Sequence, residues 1–318
     1  MNDVCRLLNI RYPILQGGMG NISNAQLTSA VSEAGGLGTI GVGTMPPDEV
    51  EEIIVETKRR TNQPFAVNIP IQVTPYVEEM VSLVLKHRVP VVSLSAGNPA
   101  PIVPRFAEQG VKVIVVTASV KQAKKAEEAG ADVLVAEGYE AAGINSSMEL
   151  TTMTLIPQIV RAVHVPVIAA GGIGDGRGML AAFALGAQGV QLGTRLIATK
   201  DAPFHEAYKQ LITDADENET VIVGRSVGRV RRIMRTPYAE KLLQYEKAGV
   251  TLEKFNEYTS EYYHRRGALD GDFAEGFVNA GQIAGLIEDL PTVAELFQNM
   301  IEEAKQQLHL LYHTAFCQ

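Results

Sequence analysis

Short apolar runs that stop at glycine or a polar residue, each followed by a helical stretch, recur along this chain. No other feature constrains its fold as much. The clearest case lies at 167–195. Val167–Ala170 runs into Gly171-Gly172-Ile173-Gly174-Asp175-Gly176, a helix of small residues is expected over 179–185, and Gly189–Leu192 stops at Gly193-Thr194-Arg195. Both runs are apolar on both faces, as strands buried in a parallel sheet are. Further runs precede them at 13–16, 37–42, 65–69, 89–94, 111–116 and 133–136. An open doubly wound sheet shares this alternation, but a count of eight favours closure, so the chain is expected to be an α/β protein folded as a (β/α)8 TIM barrel. Glycine at a strand end lets backbone N–H groups approach an anion, and the next helix start adds partial positive charge. The paired ends at Gly171-Gly172 and Gly193-Thr194 therefore predict a phosphate cup after the last two strands.

Beyond Arg195 the alternation ceases. With 318 residues the chain exceeds the usual size of one hydrophobic core. The expected division is a barrel from 1–204 and 276–318 with a mostly helical lobe at 205–275, free of glycine-ended strands and placed to cap the barrel mouth. The lobe carries Arg225, Arg229, Arg231, Arg232 and Arg235. Such a run either grips an anionic ligand or, more often, forms a solvated helix face laced with salt bridges. Helical segments at 280–286 and 292–308 then return to the barrel.

In a barrel the strand ends face the active site. Here they supply Gln16, Gly17, Gly18, Met19, Asn68, Ser95, Thr117, Glu137, Gly143, Gly171, Gly172, Gln191, Gly193 and Thr194. The set holds one carboxylate, no histidine and no cysteine. It lacks the ligands for metal-assisted hydrolysis and the parts of a Ser-His-Asp triad. It suits a planar, hydrogen-bonding ligand with a phosphate tail, one that brings its own redox chemistry. His164 precedes a strand start and is expected to be structural, whereas His205 and His264 fall in the lobe, within reach of the mouth. The net charge of -8 argues against nucleic acid as the main partner. Cys5 and Cys317, at opposite ends, form neither a metal spacing nor a disulfide framework. With no signal-like start and no apolar run of about 18 residues, a cytoplasmic protein without membrane spans is expected.

These residues resemble one group of flavoproteins. Pro-Ile-Leu-Gln-Gly-Gly-Met at 13–19, Ala-Gly-Gly-Leu-Gly at 34–38, Asn68, Glu-Gly-Tyr-Glu-Ala-Ala-Gly at 137–143, Ala-Ala-Gly-Gly-Ile at 169–173, Gln-Leu-Gly-Thr-Arg at 191–195 and Ala-Gly-Gln-Ile-Ala-Gly at 280–285 are similar to the FMN-dependent nitronate monooxygenases and bacterial enoyl-acyl-carrier-protein reductases. The resemblance covers nearly the whole chain. It implies FMN with its phosphate at Gly172 and Gly193-Thr194, and ring contacts from Gly18, Met19 and Asn68 supported by Glu137 and Gln191. Gly17, Thr117, Gly143 and Gly171 complete the candidate cofactor set, and no metal is implied. NADH or NADPH would be the co-substrate, and the partner a small molecule or an acyl carrier protein; a homodimer is one open assembly.

One stretch departs from that family. Where it carries Gly-Gly-His-x-Gly, this chain reads Ala142-Gly143-Ile144-Asn145-Ser146-Ser147-Met148-Glu149, a longer loop without the imidazole. Asn145 stands at or next to the histidine position and is the candidate catalytic residue, able to hydrogen-bond but not to supply a proton. The expected function is therefore NAD(P)H oxidation through flavin, with electrons passed to an enoyl, quinone or oxygen acceptor. Nitronate oxidation, and a flavin-binding sensor or accessory protein without turnover, are the alternatives. Inosine monophosphate dehydrogenases share the Gly-Gly-Ile-x-Asp-Gly loop at 171–176 but need a nucleophilic loop cysteine, which neither terminal cysteine provides.

Overall fold

The computed structural model describes residues 2–315, so Cys317 lies outside the described residues. Its parallel strands are β1 (Ile14–Gln16), β2 (Gly38–Gly41), β3 (Phe65–Pro70), β4 (Val91–Ser95), β5 (Lys112–Thr117), β6 (Val133–Glu137), β8 (Val167–Ala170) and β9 (Gly189–Leu192). The two-residue β7 (Gly143–Ile144) belongs to a different sheet, treated below. The eight strands run in the order β1-β9-β8-β6-β5-β4-β3-β2. At the seam, Leu37 N donates to Ile14 O (3.0 Å) and Gln16 N to Leu37 O (2.9 Å). The two edges meet and the sheet closes as a TIM barrel, which leaves no unpaired strand edge.

The period of two along each strand divides the core. Leu15, Ala66, Val91, Ile114, Val133, Val135, Ile168 and Ala170 pack together inside the barrel. Their neighbours Ile14, Val67, Val92, Val113, Val115, Leu134, Ala136, Ala169, Val190 and Leu192 pack against the helices outside. The barrel floor is plugged by Val4, Cys5 and Leu8 of the helix Asp3–Leu8, whose start is capped by the Asn2 side chain. Glycines are used where elements touch: a Cβ on Gly38 would collide with Thr28 O, and one on Gly176 with Met300 O of the C-terminal helix Val293–Ala315. The helix Ala25–Glu33 is capped by Asn24, where the neighbouring Ser23 is also a good N-cap residue type. Ser23 Oγ instead donates to Met19 O and accepts from Gly41 N, fixing the turn after β1.

The lobe expected to be mostly helical and free of glycine-ended strands contains two strands. β10 (Thr220–Val223) and β11 (Arg231–Met234) form an antiparallel hairpin, and β7 adds to it through the pairs Arg231–Ile144 and Arg232–Gly143. β10 even ends at a glycine, Gly224. Its buried Val221 and Val223 alternate with half-exposed Thr220 and Ile222, but over four residues that alternation is too short to stand out from its polar surroundings. Helices Pro237–Lys247, Leu252–Tyr258 and Glu261–Asp270 pack on the hairpin around a separate core of Val221, Val223, Ile233, Tyr238, Leu242, Phe255 and Phe277. The arginine run is accordingly not a helix face; it lies on the hairpin and its turn. Among the described residues no helix is long and apolar enough to cross a membrane.

Candidate active site

The C-terminal mouth of the barrel is built from loops that are tied to one another. After β8 the chain turns through Gly171 (φ +96°) and Gly172 (φ +72°), left-handed conformations that side chains disfavour. Thr152 opens the helix Thr152–Val160, and its Oγ1 donates to Gly171 O (2.9 Å). The Glu140 carboxylate accepts from Thr152 N (2.9 and 3.0 Å) and lies 3.0 Å from Thr152 Oγ1. A negative side chain at a helix start satisfies N–H groups that have no partner within the helix. The same contacts hold the loop after β6 beneath the β8 turn. After β9, Gly193 leads into the short helix Thr194–Ile197, and a Cβ on Gly193 would meet no atom within 4 Å. Thr194 Oγ1 accepts from Gly281 N (2.9 Å), and Gln282 N donates to Glu140 O (2.9 Å), so the 280–285 run locks the β6 and β9 loops together.

The facing wall is made by the turn after β1. Gly17 N donates to Leu192 O (2.8 Å), and a Cβ on Gly17 would lie 3.4 Å from Gln191 Nε2. Gly18 packs on Asn68 so closely that a Cβ would lie 2.5 Å from its Oδ1. Asn68 Nδ2 is directed to Ser93 O, Ser93 Oγ and Ser95 Oγ at 3.2–3.3 Å. Asn68 and Gln191 share strand parity with the residues inside the barrel, so both belong to the mouth. Thr117 does not. It has the parity of Val113 and Val115, which pack on the helices, and its hydroxyl donates to Val135 O (3.2 Å). This corrects the expectation from its place at a strand end: parity turns the side chain outward.

Glu137 ends β6 on the inner face and makes no hydrogen bond among the described residues. Burial pushes its carboxyl up from the ordinary value to about 7. Beside it is a narrow crevice lined by Ala118, Glu137, Tyr139, Asn145, Ser146 and Leu150. Asn145 thus stands near Glu137, but its Nδ2 is spent on Ala141 O (2.9 Å) and Gly143 O (3.3 Å). That side chain shapes the loop. A larger hollow, about 490 Å³ with Asn9, Lys58, Thr61 and Pro90 in its walls, opens at the N-terminal ends of β3 and β4. That end of a barrel serves stability, and no strand end with chemistry reaches it.

The lobe reaches the mouth through Tyr139. Arg232, 4% exposed, donates to Tyr139 O from Nε (3.2 Å) and Nη2 (3.0 Å). Arg225 pairs with Glu149 (2.8 Å) and bonds the Tyr139 hydroxyl. His205 is a helix cap, its Nδ1 accepting from Ala207 N, and exposed His164 lies at the opposite end.

Comparison with known proteins decides the family. The nitronate monooxygenase family model matches residues 2–80 and 71–303. The chain belongs to the nitronate monooxygenase family. It is 31% identical to a probable nitronate monooxygenase of Staphylococcus saprophyticus, over 95% of this chain and 97% of that one. It is 32% identical to a 5-hydroxy-7a-methyl-1-oxo-octahydro-1H-indene-4-carboxyl-CoA dehydrogenase of Mycobacterium tuberculosis, over 94% of each. Among solved structures it resembles FabK from Thermotoga maritima (TM-score 0.94, 41% identity, 98% of each chain) and a nitroalkane oxidase from Streptomyces ansochromogenes (TM-score 0.85, 27% identity, 97% of this chain and 99% of that one). Like the nitronate monooxygenase and enoyl-reductase members of this flavin-dependent family, the chain is an oxidoreductase. The mouth fits such a group in chemistry: backbone N–H groups and open space at Gly193 for an anionic tail, and side-chain-free turns at Gly17 and Gly18 for a flat ring.

Residue types at strand ends did not flag Glu140, Thr152 or Ser93. Glu140 and Thr152 are twelve positions apart in a loop without periodicity, so no pattern along the chain links them.

Proposed function

We propose that this member of the family binds FMN across the barrel mouth and oxidises NADH or NADPH, passing electrons to an enoyl, quinone or oxygen acceptor. Bound there, the flavin would supply hydride transfer. The observation that carries the reading is the pair of adjacent glycine-ended strands, β8 and β9, with open space at Gly193. Gly171, Gly172, Gly193 and Thr194 hold the phosphate. Gly17, Gly18, Met19, Asn68, Gln191 and Gly143 border the ring. Glu137, poised near neutral pH, holds and moves the proton that the absent imidazole would have carried. Residues 205–275 act as a lid: Arg225 and Arg232 hold the 139–149 loop over the mouth.

Nitronate oxidation is the second reading, favoured by the family match, with Glu137 as base. The dehydrogenase from M. tuberculosis, named for a hydroxylated carboxyl-CoA, adds acyl thioesters to the substrate range worth testing. Anaerobic mixing of the yellow protein with NADH or NADPH separates these readings. Prompt bleaching supports the reductase, bleaching only by an alkyl nitronate supports the monooxygenase, and inertness to all supports a binding protein without turnover.

Gly193→Asp tests the cup, because the fold leaves room for the side chain while its carboxylate takes the anion's place. Loss of FMN from a folded variant is expected; retained stoichiometric flavin would overturn the placement. Gly172→Asp is expected to lose FMN too, but its positive φ makes it strained as well.

A further inference from the structure

Arg195 follows the Gly-Thr end of β9 and has no part in the cup as described so far. It is 3% exposed, and burial pulls its guanidinium below the ordinary arginine range. Nη1 donates to Asp289 Oδ1 (2.8 Å), and Nη2 donates to Ala198 O and Asp289 O (3.0 Å each). The Asp289 side chain that pairs with it is 66% exposed. Nε is left buried without a hydrogen-bond partner among the described residues. A buried donor without an acceptor is uncommon and calls for an explanation.

The position of the side chain supplies one. Arg195 Cδ, the atom to which Nε is bonded, lies 3.7 Å from where a Cβ on Gly174 would stand. Gly174 belongs to the turn after β8, where the N–H groups of Gly172, Ile173 and Gly174 donate to no backbone carbonyl of a described residue. Acidic side chains crowd the same turn. Glu140 Cδ would lie 3.9 Å from a Cβ on Gly172, Glu303 accepts from Gly176 N (2.7 Å), and Asp175 accepts from Gly178 N (2.7 Å). Arg177 pairs with Asp175 and Glu303 but is exposed. A dianionic phosphate entering this turn meets carboxylates and gains from a desolvated cation close to it. A buried arginine whose carboxylate partner is two-thirds exposed is in turn only partly compensated. Each charge stabilises the other.

Resting on the reading of this mouth as the flavin site, we propose that Arg195 is the charge partner of the flavin phosphate, a positioning residue that acts beside Gly174 and makes the cup selective for a phosphorylated flavin. The carbonyls of Ala198 and Asp289 hold the guanidinium in place. The Asp289 carboxylate offsets its charge and so weakens its pull on the phosphate.

The test titrates FMN and riboflavin separately into the flavin-free full chain, reading flavin fluorescence, and reads inorganic phosphate by its effect on Tm. Arg195→Met is expected to weaken FMN binding about tenfold, the worth of one interaction with an ionised group, and to leave riboflavin unchanged. Arg195→Lys should recover part of the loss, because the charge returns without the planar fork. Asp289→Asn removes the opposing carboxylate and should tighten FMN about twofold, again with riboflavin unchanged. A merely structural role predicts otherwise: both flavins weaken together in Arg195→Met, and FMN weakens in Asp289→Asn. Either result, or FMN affinity unaltered by Arg195→Met, overturns the proposal. Where Arg195→Met does not fold, Asp289→Asn decides alone, and an FMN affinity no higher than that of the unmodified protein overturns it. Failure of the flavin reading shows separately, as an unmodified protein that binds neither flavin. The rise in Tm with inorganic phosphate then still reads the anion site, and a rise undiminished in Arg195→Lys and reduced in Asp289→Asn overturns the role of the charge.

Discussion

Glu137 carries the proton in the proposed chemistry. Its folded-state value of about 7 lies above the ordinary 4.5 because the ionised form is desolvated. The folded protein therefore holds this proton more tightly than the unfolded chain does. The resulting stability is fully present below about pH 4.5 and is lost as pH rises through 7. Glu137→Gln is expected to flatten that decline, checked by thermal melts between pH 4.5 and 8. The same variant should lower kcat by about 10²–10⁴, the usual worth of a general acid or base, and remove the limb near neutrality from the pH–rate profile. An unchanged profile would assign the proton to another group. The strand-end reading correctly placed Glu137 at the mouth, but its lack of any partner is visible only in three dimensions.

Among elements, the loop after β6 shows how closely backbone and site are coupled. Thr152 joins Glu140 to the β8 turn, its N–H donating to the carboxylate and its hydroxyl to Gly171 O. Thr152→Val should cost about 1–3 kcal/mol by leaving the Gly171 carbonyl without its donor, measured by denaturant titration, and should weaken flavin binding by loosening Gly171 and Gly172. Gly38→Ala makes the contrasting case. It is far from chemistry, but its Cβ would strike the Thr28 carbonyl, so a loss of about 1–3 kcal/mol with unchanged cofactor affinity per folded molecule is expected. Strand existence was legible because buried parallel strands are continuous apolar runs. Parity was legible only in part. Asn68 and Gln191 point inward as their place at strand ends implied, whereas Thr117 is turned out by its one-residue offset from Val116.

Across the whole molecule, the lobe and the barrel meet through the β7–β11 backbone pairing and a few charged contacts. Arg232 is nearly buried at this junction and supplies two hydrogen bonds to Tyr139 O. Arg232→Met is expected to leave the barrel's cooperative melting in place but speed amide hydrogen exchange across 139–149; equal exchange would show that the Arg232 side chain does not hold the loop. The eightfold strand count, the helices between and the glycine ends of β8 and β9 were determined by the sequence alone, since burial on both faces and tight turns demand those residue types locally. Only the tertiary structure decided that the arginine run is a hairpin, that Asn145 shapes a loop, and that Asn279 faces Gly143 with His264 behind it. Those outcomes depend on which distant segments pair across the mouth, and pairing between residues far apart in the chain leaves no periodic trace along it.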